Sequence, residues 1–282
     1  MEKKYILFDL DGTLTDSADG IINSVIYALK SYGIESDDRD ALRAFVGPPL
    51  AGCFSKYYGF DERKSLEAVE RYREYFREKG LFENQVYPGI REMLENLKQR
   101  GAVLMVATSK PELFSRQILE HFDLMKYFDF LGGATMEEKR TAKADVIRHV
   151  LETCGLEDCL SKMRMVGDRE YDILGARENN IQSVGVLYGY GDRRELEEAG
   201  ADMLAETVED LEKLLIQWLE EEERKSCLFS KIKIRQKTIP WFSVGFLILV
   251  FFLTVFFFAV HAAIGFCSFI SQIENVRQLL LN

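Results

Sequence analysis

Short apolar runs that end in carboxylates or hydroxyls alternate along the chain with stretches of helical periodicity. Lys4 to Leu10 is the first run. Its Tyr5-Ile6-Leu7-Phe8 leads into Asp9-Leu10-Asp11-Gly12-Thr13, the composition of a buried strand meeting a turn. Val103 to Ala107 repeats the pattern and is followed by Thr108-Ser109 and by Lys110-Pro111-Glu112, which reads as a helix start. Phe128 to Leu131, Arg164 to Val166 before Gly167-Asp168, and Ser183 to Leu187 supply three further strands. Gly89 to Gln99, Glu112 to His121 and Lys143 to Thr153 carry helical spacing between them. Strand and helix in alternation predict an α/β fold with a mostly parallel sheet covered on both faces.

One spacing breaks this rhythm. Asp9 and Thr108 are 99 residues apart, whereas a strand-helix-strand unit needs only about 30. Ile21 to Lys30, Asp40 to Phe45 and Ser65 to Glu78 are helical in pattern, and Gly47-Pro48-Pro49 forces a turn. Residues 18–85 are therefore expected to form an inserted all-helical cap, with residues 1–17 and 86–224 as the α/β core. The charged stretch Glu67 to Lys79 reads as a solvated helix face. Val208, Leu211, Leu215, Trp218 and Leu219 predict a last amphipathic helix.

The end of the chain is of a different kind. Residues 238–273 are 36 in a row without Asp, Glu, Lys or Arg. At about 1.5 Å per helical residue, two-thirds of this run spans a hydrocarbon layer of about 30 Å. A transmembrane helix is expected there, with a basic linker at 225–237 and a short tail at 274–282. Lys231, Lys233, Arg235 and Lys237 precede the run, so the positive-inside rule leaves the N-terminal body in the cytoplasm, anchored to the membrane.

Charge sharpens the division. The net charge of -10 is the sum of about -15 before Lys225 and about +5 from there on. An acidic body argues against nucleic acid as a partner, because phosphate backbones are bound by clustered Lys and Arg. Five cysteines without a CxxC pair read as free thiols, and three histidines offer neither a His-based zinc site nor a Ser-His-Asp triad.

What remains is a set of four pieces, each following a predicted strand: Asp9-Leu10-Asp11-Gly12-Thr13, Thr108-Ser109, Lys143, and Gly167-Asp168 with Asp172. Open α/β sheets bind ligands at the carboxyl ends of their strands. A carboxylate such as Asp9 is ionised at neutral pH and can attack phosphorus without a base. Approach of anion to anion is opposed by about 4 kcal/mol at 4 Å, so a hard cation is required, and Asp9, Asp168 and the Asp11 carbonyl offer the oxygen ligands that Mg²⁺ prefers, with Asp172 placed to support that site or to hold Lys143. Lys143 supplies positive charge and Thr108 a hydroxyl to the transferring group. Asp11 can protonate the leaving oxygen and later activate water. Lys139 and Lys110 are rivals for the lysine role.

These motifs resemble the haloacid dehalogenase superfamily of aspartate-nucleophile hydrolases. Asp9-Leu10-Asp11-Gly12-Thr13-Leu14, Thr108, Lys143 and Gly167-Asp168-Arg169 through Asp172 are similar to its four motifs. Membership implies a Rossmann-like core, Mg²⁺ and the roles just given. Phe45-Val46-Gly47-Pro48-Pro49-Leu50 and Gly189-Tyr190-Gly191 look like members named phosphoglycolate phosphatase or 5′-nucleotidase, and imply a small phosphorylated metabolite as substrate. Asp11 favours phosphate over halide. A phosphomutase or phosphotransferase shares the motifs, and an inactive membrane-tethered binding protein is the reading from another class. Ser109, Arg43, Gly47 and Lys56 are the candidates for contact with the leaving group.

Overall fold

The computed structural model describes residues 3–136 and 140–221. The linker, the uncharged run, the tail, Cys227, Cys267 and the rival Lys139 lie outside the described residues. Among those described, no helix is long and apolar enough to cross a membrane, and Cys53, Cys154 and Cys159 are free.

Six parallel strands form the main sheet. They are β1 (Tyr5–Phe8), β4 (Val103–Pro111), β5 (Phe130–Ala134), β6 (Met163–Gly167), β7 (Gln182–Val186) and β8 (Met203–Ala205), in the order β5-β4-β1-β6-β7-β8. The first strand is thus central, with Phe8 level with Val106 on one side and Val166 on the other. Side chains alternate across it. Ile6 and Phe8 enter the core on one face, and Leu7 enters a second core with Met105 and Met165 on the other. Both faces are covered, which is why the strands read as unbroken apolar runs.

The covering helices are α5 (Ile90–Gln99), α6 (Glu112–His121), α7 (Lys143–Cys154), α8 (Glu170–Glu178), α9 (Arg193–Ala199) and the helical residues 208–221. The helix at Glu112 starts where the spacing predicts. The strand before it is longer than expected, however, because Thr108, Ser109, Lys110 and Pro111 stay extended and Pro111 pairs with Ala134 after a register shift. Lys110-Pro111 therefore belongs to the strand, not to the helix.

Between Asp9 and Thr108 the chain leaves the sheet through β2 (Thr15–Asp16) and returns through β3 (Gln85–Val86), two short strands paired antiparallel. The insertion holds α1 (Ala18–Lys30), α2 (Arg39–Leu42), α3 (Leu50–Tyr58) and α4 (Glu62–Tyr75), the last running into a π turn at Phe76–Gly80. Asp61 caps α4 by accepting from Lys64 N–H at 2.8 Å. α1 crosses the π turn at a point where no side chain fits, since a Cβ on Gly20 would sit 2.0 Å from the Gly80 carbonyl oxygen. Gly20→Ala is expected to destabilise the chain by about 1–3 kcal/mol through overpacking. A urea melt with an unchanged midpoint would show that the two segments can separate freely.

Candidate active site

Thr108 within β4, and Asp9 and Asp168 just past β1 and β6, come from three neighbouring strands, at the point where the strand order switches from one side of β1 to the other. Asp9 is held by its backbone, whose N–H donates to Val166 O at 2.9 Å. Asp168 follows β6 directly, and Asp172 lies in the first turn of α8. Lys143 is the first residue of α7 and reaches in from the side. All five are buried.

One ammonium pairs with two of the three carboxylates. Lys143 Nζ is 2.7 Å from Asp9 Oδ1 and 2.7 Å from Asp172 Oδ1, and it donates to Ala107 O at 3.0 Å. The two carboxylate oxygens are at ion-pair distance but off any hydrogen-bonding direction, and neither has another partner. Asp168 accepts from Tyr190 N–H at 2.8 Å and Thr13 Oγ1 at 3.3 Å. Burial, then Asp172 and Asp9, pushes the Asp168 carboxyl well above the ordinary range. Burial also raises Asp9, to about 6, against the pull of Lys143. Burial alone would lower Lys143, but Asp172 and Asp9 outweigh it and hold the ammonium charged.

Oxygen atoms of Asp9, Asp168 and Asp172 lie within 4.8 Å of one another. Three buried carboxylates share one ammonium, so charge is under-balanced there and Asp9 and Asp168 are raised, while Asp9 Oδ1 and Asp172 Oδ1 lack hydrogen-bond partners. A divalent cation with a taste for oxygen ligands fits both deficits.

The carboxylate of Asp11 lies apart from this cluster. Its Oδ2 is 2.8 Å from Lys110 Nζ, and both side chains are buried. Lys110, the rival for the lysine role, is thus engaged one step away, and Lys143 occupies the centre. Thr108 is buried, and its hydroxyl accepts from Lys110 N–H at 3.2 Å.

Beside Asp11 lies a cavity of about 60 Å³ between sheet and insertion. Ser109 and Gly47 line it. Arg43 and Lys56 are not among its lining residues. Arg43 sits on a short 3-10 turn, exposed and 3.5 Å from Asp40, and Lys56 is exposed with its ammonium over the Tyr57 ring.

Arg73 lines the cavity instead, buried and donating to Glu70 Oε1 at 2.6 Å. The expectation of a fully solvated face at Glu67 to Lys79 fails there. A signal was present: Ser65, Ala68, Val69, Tyr72 and Phe76 are the buried stripe of this segment, and Arg73 falls four residues after Val69 on the same stripe.

Arg169 ties the core to the insertion. Its Nε donates to Glu195 Oε1 at 2.7 Å and its Nη1 to Val46 O at 3.0 Å, beside Gly47, whose φ of +100° no other residue adopts without strain.

The haloacid dehalogenase-like hydrolase profile matches residues 6–186. The chain belongs to that family. It is 50% identical over 193 residues to a 5'-nucleotidase of Pseudomonas aeruginosa, covering 68% of this chain and 86% of that one. A phosphoglycolate phosphatase of Aquifex aeolicus is 34% identical over 188 residues, 66% of this chain and 86% of that protein. Among solved structures, a predicted phosphatase from Clostridium acetobutylicum superposes with a TM-score of 0.73 at 49% identity, covering 76% of this chain and 98% of that one. This haloacid dehalogenase-like chain is a phosphatase. Members of the family that are phosphatases generally use Mg²⁺, and the buried acidic triad is the place that fits it.

Proposed function

We propose that the chain is a Mg²⁺-dependent phosphomonoesterase acting on a small phosphate ester through a phosphorylated Asp9. The observation that carries this reading is the buried set of Asp9, Asp168 and Asp172, in which Lys143 is, among the described residues, the one cation in ion-pair contact. Mg²⁺ held by these carboxylates would neutralise charge on the phosphoryl oxygens. An Asp9 oxygen attacks phosphorus, and the bond to the leaving oxygen breaks. Asp11 gives its proton to that oxygen, and Lys110 meets the charge left on Asp11. Lys143 keeps Asp9 and Asp172 in place. Water then attacks phosphorus with Asp11 as base, which frees phosphate and restores Asp9.

The cavity supports a short leaving group. Its volume of about 60 Å³ is small, though well above the roughly 10–15 Å³ that a single water needs. Lys110 and Arg73 on its wall favour an anionic substituent, and Phe45, Tyr72, Phe76 and Phe114 exclude water. A phosphoglycolate-type ester fits these walls as they stand, whereas a nucleoside 5′-monophosphate needs the helical cap to move away. The P. aeruginosa relative's name keeps the second class in the test.

Purified full-length protein in detergent is expected to release phosphate from phosphoglycolate with Mg²⁺ and not with EDTA. Nucleoside monophosphates and sugar phosphates are run beside it. Release independent of divalent cation would sink the mechanism, and faster release from nucleotides would overturn the substrate class. Conversion of a sugar monophosphate to its isomer would mark a phosphomutase.

The 36 uncharged residues and the basic flank support a membrane anchor with the enzyme body on the cytoplasmic side. The full chain is then expected in the alkali-washed membrane fraction and a chain ending at Arg224 in the supernatant. Equal partition of the two would remove the anchor.

A further inference from the structure

We propose that Tyr190 is a positioning residue that couples the orientation of Asp168 to the hinge of the helical insertion. The inference rests on reading Asp168 as a ligand of the divalent cation.

Tyr190 lies in the loop after β7, and that loop is pressed onto Asp168. A Cβ on Gly189 would sit 2.4 Å from Asp168 Cβ and 2.4 Å from Gly12 O. One on Gly191 would sit 2.0 Å from Asp168 O. Only glycine on either side lets the Tyr190 backbone come this close, and its N–H donates to Asp168 Oδ2 at 2.8 Å. The other end of the same residue reaches the insertion. Its hydroxyl donates to Asp16 Oδ1 at 2.7 Å and accepts from Ser17 N–H at 2.9 Å.

Asp16 ends β2, and Ser17 precedes α1. Asp16 Oδ1 also accepts from Ala18 N–H at 3.2 Å, so the phenol grips the start of the insertion's first helix. Tyr188, two residues earlier, donates to Thr13 O at 3.0 Å and packs edge-on against Tyr87, just past β3. The loop therefore touches both strands through which the chain enters and leaves the insertion.

A tilt of the insertion moves Asp16 and Ser17. Through the Tyr190 ring and backbone that movement is passed to the hydrogen bond on Asp168. The coupling is reciprocal: a cation that fixes Asp168 restrains the hinge, and a restrained hinge favours the cation.

The test is amide hydrogen exchange at residues 13–18 and 85–88 of the full-length protein, with Mg²⁺ or EDTA, together with calorimetric Mg²⁺ titration. In the parent, Mg²⁺ is expected to slow exchange at Ser17 and Ala18 by about five-fold or more. Tyr190→Phe removes the hydroxyl and keeps the backbone N–H, so Mg²⁺ should still bind while the slowing falls below about two-fold. Asp16→Ala cuts the same link from the insertion side and should behave alike, which covers the case of one variant failing to fold. Mg²⁺-dependent protection equal to the parent's in both variants overturns the coupling, as does a parent that binds Mg²⁺ without protecting the hinge. A parent that binds no Mg²⁺ overturns the cation site itself and the coupling with it.

Discussion

Asp9→Asn protein is expected to lose turnover by on the order of 10³-fold or more, because an amide has no carboxylate oxygen to offer phosphorus. The same change should leave the metal-free chain at least as stable as the parent. Asp9 is buried among like charges, and burial first, then Asp172 and Asp11, raises its carboxyl from 3.8 to about 6 in spite of Lys143. Between those two values the folded chain holds a proton that the unfolded chain has released. Stability therefore falls as pH rises through this window. Asn at position 9 has no proton to lose and should flatten that slope. Urea midpoints in EDTA from pH 4 to 7 would show it, and parallel slopes for parent and variant would contradict the burial of a charged Asp9.

Lys143→Ala has the opposite sign in stability. It removes the ammonium that stands 2.7 Å from both Asp9 and Asp172 and leaves three buried carboxylates together. Breaking one side of a buried ion pair costs about 3–5 kcal/mol. The metal-free variant should lose that much, and added Mg²⁺ should return part of it by binding only the folded state. Turnover should fall by about 10²–10³-fold, since fixed positive charge at the transferring group is gone. A variant as stable as the parent in EDTA would mean that the carboxylates are already protonated and need no counter-ion.

The sheet and its site were legible to different depths, for physical reasons. Buried parallel strands are continuous apolar runs, so β1, β4, β6 and β7 stand out, and the polar residues that end the apolar runs of β1, β4 and β6 are among those that converge. β2 and β3 have only two residues each and no periodicity to read; partners far along the chain hold them. The helix at Leu50–Tyr58 was hidden because Pro48-Pro49 reads as a break, although Pro49 in fact occupies the cap position before the first helical residue. Arg43 and Lys56 were chosen as neighbours in sequence of the Gly47 turn, and helix geometry sends them outward. Arg73 was passed over because its sequence neighbours are charged.

The central place of the first strand bears on how the molecule is made. Tyr5 pairs with Val103 and with Met163, partners that are synthesised 98 and 158 residues later. At 5–20 residues per second the second partner follows after about 8–30 s. Until then an apolar strand carrying Asp9 has no edge to join on that side. Helices of the insertion, whose pairings are local, can form during the wait, whereas the long-range strand pairs close slowly. The strand that carries Asp9 leaves the ribosome well before either of its partners and is among the last to be secured, so chaperone demand should concentrate on nascent chains that do not yet carry Met163.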